Sequence, residues 1–170
     1  MNTVTSFPPI VGYNPRILIL GSMPGIRSLE LNQYYGHSRN LFWNFMGEIC
    51  GASPELDYQR RVTILQESGI ALWDVLQHCE RAGSLDADIV TSSEIPNEIP
   101  GLLEQHTSIQ AVAFNGRKAE QAFRKHIQPQ LSPRHLKVLT FLPMPSTSPA
   151  NASIPKEKKL NCWLGIQKYL

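Results

Sequence analysis

Short apolar runs recur along this chain, separated by stretches in which apolar residues return at the helical spacing. After Arg16, Ile17-Leu18-Ile19-Leu20 is unbroken and stops at Gly21, the pattern of a strand covered on both faces. Ile70-Ala71-Leu72, Ile109–Phe114 and Leu136–Leu142 read as three further strands. Between them, Leu41–Ile49 is a helix closed by Gly51, and Glu55–Glu67 a helix closed by Gly69, because glycine accepts the left-handed backbone that ends a helix. The stretch from Glu80 to Pro100 is rich in Ser, Asp and Pro and reads as a surface crossing before a helix at Gly101–Gln105. A basic helix follows Asn115-Gly116 and runs to about His126. The last helix starts near Pro155, where proline fits the first turn. This alternation predicts a three-layer α/β/α sandwich on a mostly parallel four-stranded sheet, in one domain spanning residues 1–170.

Composition narrows the class only mildly. At 170 residues and 42% apolar content the chain can bury an adequate core. A net charge of +2 permits nucleic-acid binding without pointing to it, since a basic patch depends on clustering. Cys50, Cys79 and Cys162 are far apart, lack zinc-site spacing and are too few for a four-thiolate iron–sulfur cluster. They read as reduced thiols, and the expectation is a protein without metal or cofactor. No stretch approaches the roughly 20 apolar residues of a membrane span, and no basic leader precedes the first elements. The chain therefore reads as a cytoplasmic monomer that does not contact the membrane.

The chemistry sits in two loops. Gly21-Ser22-Met23-Pro24-Gly25 and Pro145-Ser146-Thr147-Ser148-Pro149 each follow a strand, and in an open α/β sheet such loops fall at the carboxyl edge, where ligands bind. Tyr34-Tyr35-Gly36-His37-Ser38-Arg39-Asn40-Leu41-Phe42-Trp43 adds an aromatic platform and an amide beside the first loop. Together they suit an unstacked base.

These blocks, with Phe114-Asn115-Gly116-Arg117-Lys118 and Pro145–Asn151, stand in an order that resembles the uracil-DNA glycosylase superfamily, and within it the hypoxanthine-DNA (deoxyinosine) glycosylase branch. The likeness extends from about Arg16 to the C-terminal helix. It implies the sandwich fold read above, a DNA partner, and excision of a base that has been turned out of the stack. It also implies a cation-like sugar in the transition state, so that stabilising the departing base and aligning water count for more than a strong nucleophile.

Residue by residue, the resemblance and the local reading compete. Asn40 is the catalytic residue if the family block Tyr-Gly-His-x-x-Asn-x-Phe-Trp carries over; read locally it is the N-cap of the helix from Leu41, and the two roles are compatible. A neutral amide cannot act as a general base, so it would hold water or base. Tyr35 is placed to stack on the base, or else packs on the core with its hydroxyl wet. His37 reaches DNA or is simply solvated. Asp74 accepts the N1–H of hypoxanthine or caps the segment from Val75, and Asn115 touches DNA or caps the next helix.

Two methionines depart from the wider superfamily. Met23 stands where most members carry the Asp or Asn that positions water, a substitution the hypoxanthine branch shares, leaving the amides of Ser22 and Met23 to face the base. Met144 replaces the His or Asn that precedes Pro-Ser. In the last loop Ser146, Thr147, Ser148 and Asn151 are expected to contact phosphates, and Ser148 falls where other members place a leucine wedge. Arg117, Lys118, Arg124 and Lys125 are either phosphate contacts or a solvated helix face.

The resulting expectation is a monofunctional glycosylase for deoxyinosine, with uracil as a second substrate. No lysine for a Schiff base occurs around Tyr35–Asn40 or Pro145–Asn151. A mismatch-specific uracil or thymine glycosylase, a DNA-binding module without catalysis, and an enzyme of free nucleosides are the alternatives.

Overall fold

Four parallel strands, β2 (Ile17–Gly21), β3 (Ile70–Asp74), β6 (Ala111–Asn115) and β7 (Thr140–Met144), form a sheet in the order β3-β2-β6-β7 in a computed structural model that describes residues 2–170. Every residue of β2 and β6 is buried, which is why their sequences are unbroken apolar runs. Alternate side chains serve opposite faces. Ile17, Ile19, Ile70, Leu72, Ala111 and Ala113 pack beneath α2 (Phe42–Cys50), α3 (Tyr58–Glu67) and α7 (Lys156–Leu164). Leu18, Leu20, Ala71, Val112 and Phe114 face α4 (Ile99–Gln105) and α5 (Arg117–Ala122). The three-layer α/β/α sandwich expected from the alternation is the observed architecture.

Register sets the position of the site. Gly21 pairs with Asp74, Leu20 with Phe114 and Asn115 with Met144, so all four carboxyl ends finish level. The chain leaves β2 towards β3 on one side and later returns to β6 on the other. That makes the end of β2 the topological switch point at which a crevice opens.

Several expectations are corrected. The stretch after β3 is not a simple surface crossing, because β4 (Leu76–Glu80) pairs antiparallel with β1 (Thr3–Thr5) and with β5 (Ile95–Pro96) in a second small sheet. Asp74 consequently caps no segment at Val75; the next element is a strand. Leu136–Leu142 is not one strand either. Ser132 accepts the His135 N–H at 3.2 Å and Pro133 occupies the first turn, which starts α6 (Pro133–Val138), and the strand begins only at Thr140. A short helix α1 (Ile26–Leu31) follows the first loop where none was expected. The basic helix keeps α geometry to Ala122 and continues as a π turn over Phe123–Ile127. Among the described residues no helix is long and apolar enough to cross a membrane.

Candidate active site

A cleft of about 1700 Å³ opens at the carboxyl ends of the strands, lined by both loops, the Tyr34–Asn40 turn, Asp74 and Asn115. Its floor is made by backbone economy at Gly21. A Cβ there would lie 2.5 Å from Asp74 Oδ1 and 2.9 Å from the Tyr35 hydroxyl, so only glycine lets these two polar groups converge. Asp74 is 4% exposed, and neither its Oδ2 nor the Tyr35 hydroxyl has a hydrogen-bond partner among the described residues. A buried polar atom without a partner is costly, which fits a group reserved for a ligand. Burial, reinforced by the charge of Asp86 and opposed by Arg81, pushes the Asp74 carboxyl up to about 7. Burial and the neighbouring Asp74 hold the Tyr35 phenol well above its ordinary range, so it stays neutral.

Tyr35 has the left-handed φ of 52°, uncommon for a bulky residue and held here by its surroundings. Its ring stacks on Phe42 at 4.1 Å with 21° between planes, and Phe42 in turn meets Trp43 and Trp163 edge-on. Tyr35, with Tyr34 beside it, thus lines the cleft on a support of core aromatics, Phe42 and Trp43 being buried.

Asn40 does part of the capping job and keeps a free end. Its Oδ1 accepts the Phe42 N–H at 2.9 Å, which fixes the amide orientation, since an N–H can only be met by the oxygen. The helix itself begins at Phe42 rather than Leu41. The Asn40 Nδ2 donors make no hydrogen bond among the described residues, and the side chain lines the cleft. His37 also lines it, and its Nδ1 accepts the Arg39 N–H at 3.1 Å.

The first loop is tied down by the segment that follows β4. Ser22 donates to Asp86 at 2.6 Å, while the buried Arg81 donates to the carbonyls of Pro24 at 2.6 Å and Gly83 at 2.5 Å. Met23 is 7% exposed and packs with the core cluster below. Arg81, Ser84, Leu85 and Asp86 were not anticipated as site residues. The Gly83-Ser84 turn signal was present, but its meaning depends on the second sheet.

The last loop is pinned at several points. Asn115 Nδ2 donates to Thr147 Oγ1 at 2.9 Å and its Oδ1 accepts the Thr147 N–H at 3.0 Å. Thr147 O accepts the Leu41 N–H at 3.0 Å, and Trp163 Nε1 donates to Pro145 O at 3.0 Å. Gly116, at φ 95°, brings Ser146 close, 3.1 Å from where a Cβ would sit. One expectation changes here. Thr147 is fully buried, so its hydroxyl positions the loop and does not reach phosphate, while Asn115, which also lines the cleft, gives one donor and one acceptor to that clip. Ser146 and Ser148 accept the backbone N–H two residues on. Asn151 accepts from Ser153 through Oδ1, and its carbonyl receives the buried Lys159 at 2.5 Å.

Replacing Asn115 by alanine strands the buried Thr147 N–H and hydroxyl. The expected cost is about 1–3 kcal/mol, read as an earlier urea midpoint, with a larger loss of ligand affinity than Ser148→Ala causes.

Charge on the rim is selective. Arg39, Arg117 and Lys158 line the cleft without an ion pair among the described residues, whereas Lys118 is held by Glu94 and Arg27 by Glu30. Arg124 pairs with Glu120 and, like Lys125, is not a cleft residue.

Comparison with known proteins supplies the context. Residues 8–166 match the family described as the uracil DNA glycosylase superfamily. Two relatives called hypoxanthine DNA glycosylase, from Methanosarcina barkeri and Methanosarcina acetivorans, are 40% and 38% identical over 114 residues. Each alignment covers 66% of this chain and 71% of the relative. A solution NMR structure from Methanosarcina acetivorans, provisionally assigned as a uracil DNA glycosylase, is 30% identical, with a TM-score of 0.80 and 98% of each chain covered.

Proposed function

The chain belongs to the uracil DNA glycosylase superfamily, and from that premise we propose that it excises hypoxanthine from deoxyinosine in DNA. The observation that carries the substrate is the unpartnered buried carboxylate of Asp74 at the cleft floor. Hypoxanthine presents an N1–H donor beside its O6 acceptor. Adenine has a bare acceptor at N1, which a carboxylate repels, so an ionised Asp74 favours the deaminated base over its parent. The names of the relatives support the same choice.

In this reading the nucleotide is flipped into the cleft and its base lies against Tyr35 with N1–H on Asp74. As the C1′–N9 bond breaks, its electron pair moves onto the base, and the Asn40 Nδ2–H donors, aimed by the bond from Phe42, meet the developing negative charge. Water adds to C1′, its proton is lost to solvent or base, and an abasic site remains. Both cleft lysines lie on the rim, Lys118 held as an ion pair by Glu94 and Lys158 exposed, so water rather than an amine is the nucleophile.

The test is alkaline cleavage of labelled oligonucleotides carrying hypoxanthine, uracil or a G·T mismatch. Cleavage at hypoxanthine supports the proposal. Cleavage confined to uracil, whose N3–H and O4 offer the same edge, or to G·T moves the substrate, and binding without any cleavage leaves a lesion-binding module.

Contact with the phosphates should follow the three unpaired cations. The log of the binding constant is expected to fall with log salt with a slope of about −3, and Arg39→Ala to reduce that slope by about one.

A further inference from the structure

Flipping a nucleotide leaves a gap in the duplex, and proteins that unstack bases commonly fill it with an apolar wedge. Ser148, on the last loop, cannot supply one: it is polar, half-buried and folded back on Ser146 and Ala150. We propose that the wedge comes from the opposite wall of the cleft, and that it is Leu85. This inference rests on the DNA glycosylase reading above.

Leu85 is 51% exposed, lines the cleft, and has the extended backbone of φ −82° and ψ 139°. An apolar side chain left in water at the mouth of a binding cleft calls for a partner. What distinguishes Leu85 is how it is held. On one side Ser84 Oγ accepts the Ile26 N–H at 2.9 Å, and on the other Asp86 accepts the Ser22 hydroxyl at 2.6 Å. Arg81 fixes the Gly83 carbonyl just before, and Leu85 O accepts the Asp88 N–H at 3.0 Å just after. A leucine set between one anchor to the first loop at Ser22 and another to the start of α1 at Ile26 can press into a stack without folding away. Ordering it beforehand also spares that cost on binding.

Two other large exposed aliphatic side chains border the cleft, while Pro149 on the last loop is exposed there with only a short ring closed on its own backbone. Ile26, 47% exposed, stands on the first turn of α1 with its backbone tied to Ser84, so it backs the loop rather than forming its tip. Ile154, 38% exposed, lies on the far side, beside a stretch held at Asn151 by Lys159 and Ser148 but with no bond to the first loop.

The experiment compares single-turnover excision from a deoxyinosine duplex and from the matching single strand. The variants are Leu85→Ala, Ile154→Ala and Val138→Ala, the last an equally exposed apolar residue outside the cleft. With Leu85→Ala the duplex rate is expected to fall by about tenfold to a hundredfold, the worth of a leucine's lost apolar contacts. The single-strand rate, which needs no gap filled, falls much less. A pyrene nucleotide opposite the lesion, which fills the gap itself, restores the duplex rate; if the wild type ignores single strands, this restoration is the deciding readout. Equal loss on both substrates without restoration, no loss at all, or a duplex-selective loss only with Ile154→Ala overturns the assignment. A wild type that releases no base from either substrate fails the glycosylase reading instead, and the wedge falls with it.

Discussion

Asn40→Ala is expected to lower the single-turnover rate on deoxyinosine DNA by about 10²- to 10³-fold, the usual effect of removing one donor aimed at developing charge. The protein should remain folded. Losing the acceptor for the Phe42 N–H costs about 1 kcal/mol, which for a chain of this size moves the melting midpoint by about 2–4 °C. Asn40→Asp separates the two jobs, because a carboxylate still accepts from Phe42 but brings no donor and adds negative charge where the base becomes negative. Its melting midpoint should therefore match wild type or exceed it, since a negative charge also suits a helix N-terminus, while its rate falls at least as far as in the alanine variant. Thermal melting and the abasic-site assay on the three proteins check this. If Asn40→Asp is nearly as fast as wild type, Asn40 is a cap and the donor lies elsewhere.

That double duty explains what the sequence could and could not disclose about the site. The capping and catalytic readings of Asn40 were compatible from the start, and the geometry shows how: Oδ1 accepts the Phe42 N–H and Nδ2 is left over. The central strands were legible because β2 and β6 are buried on both faces and carry no polar interruption before Gly21 and Asn115. The first chemical loop was legible for the same reason, since it starts where such a run stops; the last follows β7, which is nowhere fully buried, and was legible from its Ser, Thr and Pro content instead. The second sheet was hidden, since β1 and β4 join residues as far apart as Thr3 and Glu80, and no local pattern records a pairing of that separation. Arg81, Asp86 and Leu85 were hidden with it. Leu136–Leu142 misled because its apolar character was read before its start signal, Ser132-Pro133, which commits the segment to a helix and leaves Leu136 and Val138 exposed. Thr147 misled in another way: a Ser/Thr loop looks wet, and only the Asn115 clip shows which hydroxyl faces inward.

The pH dependence of the enzyme should follow Asp74. Its carboxyl titrates near 7 in the folded protein against an ordinary value of 3.8. Between those values the folded state holds a proton that the unfolded chain has given up, so stability falls as pH rises from about 4 to about 7 and levels off above. Activity should run the opposite way. The ionised carboxylate accepts the N1–H more strongly than the neutral carboxyl does, so kcat/KM on deoxyinosine DNA is expected to climb through about pH 7, by about tenfold between pH 5 and its plateau. Asp74→Asn holds an uncharged acceptor at the same place. It should lose about tenfold at pH 8, where a charge-assisted bond gives way to a neutral one, and both its rate and its melting midpoint should lose their dependence on pH in this window. It should also discriminate less well against adenine, because the amide can turn its donor towards a bare N1. Paired profiles of kcat/KM and melting midpoint from pH 5 to 9 decide the matter: an inflection near 7 that survives in Asp74→Asn assigns the titration to another group. Crossed profiles in the wild type, most stable where least active, would show that the carboxylate buried at a cost beside Gly21 is the same group that the reaction needs ionised.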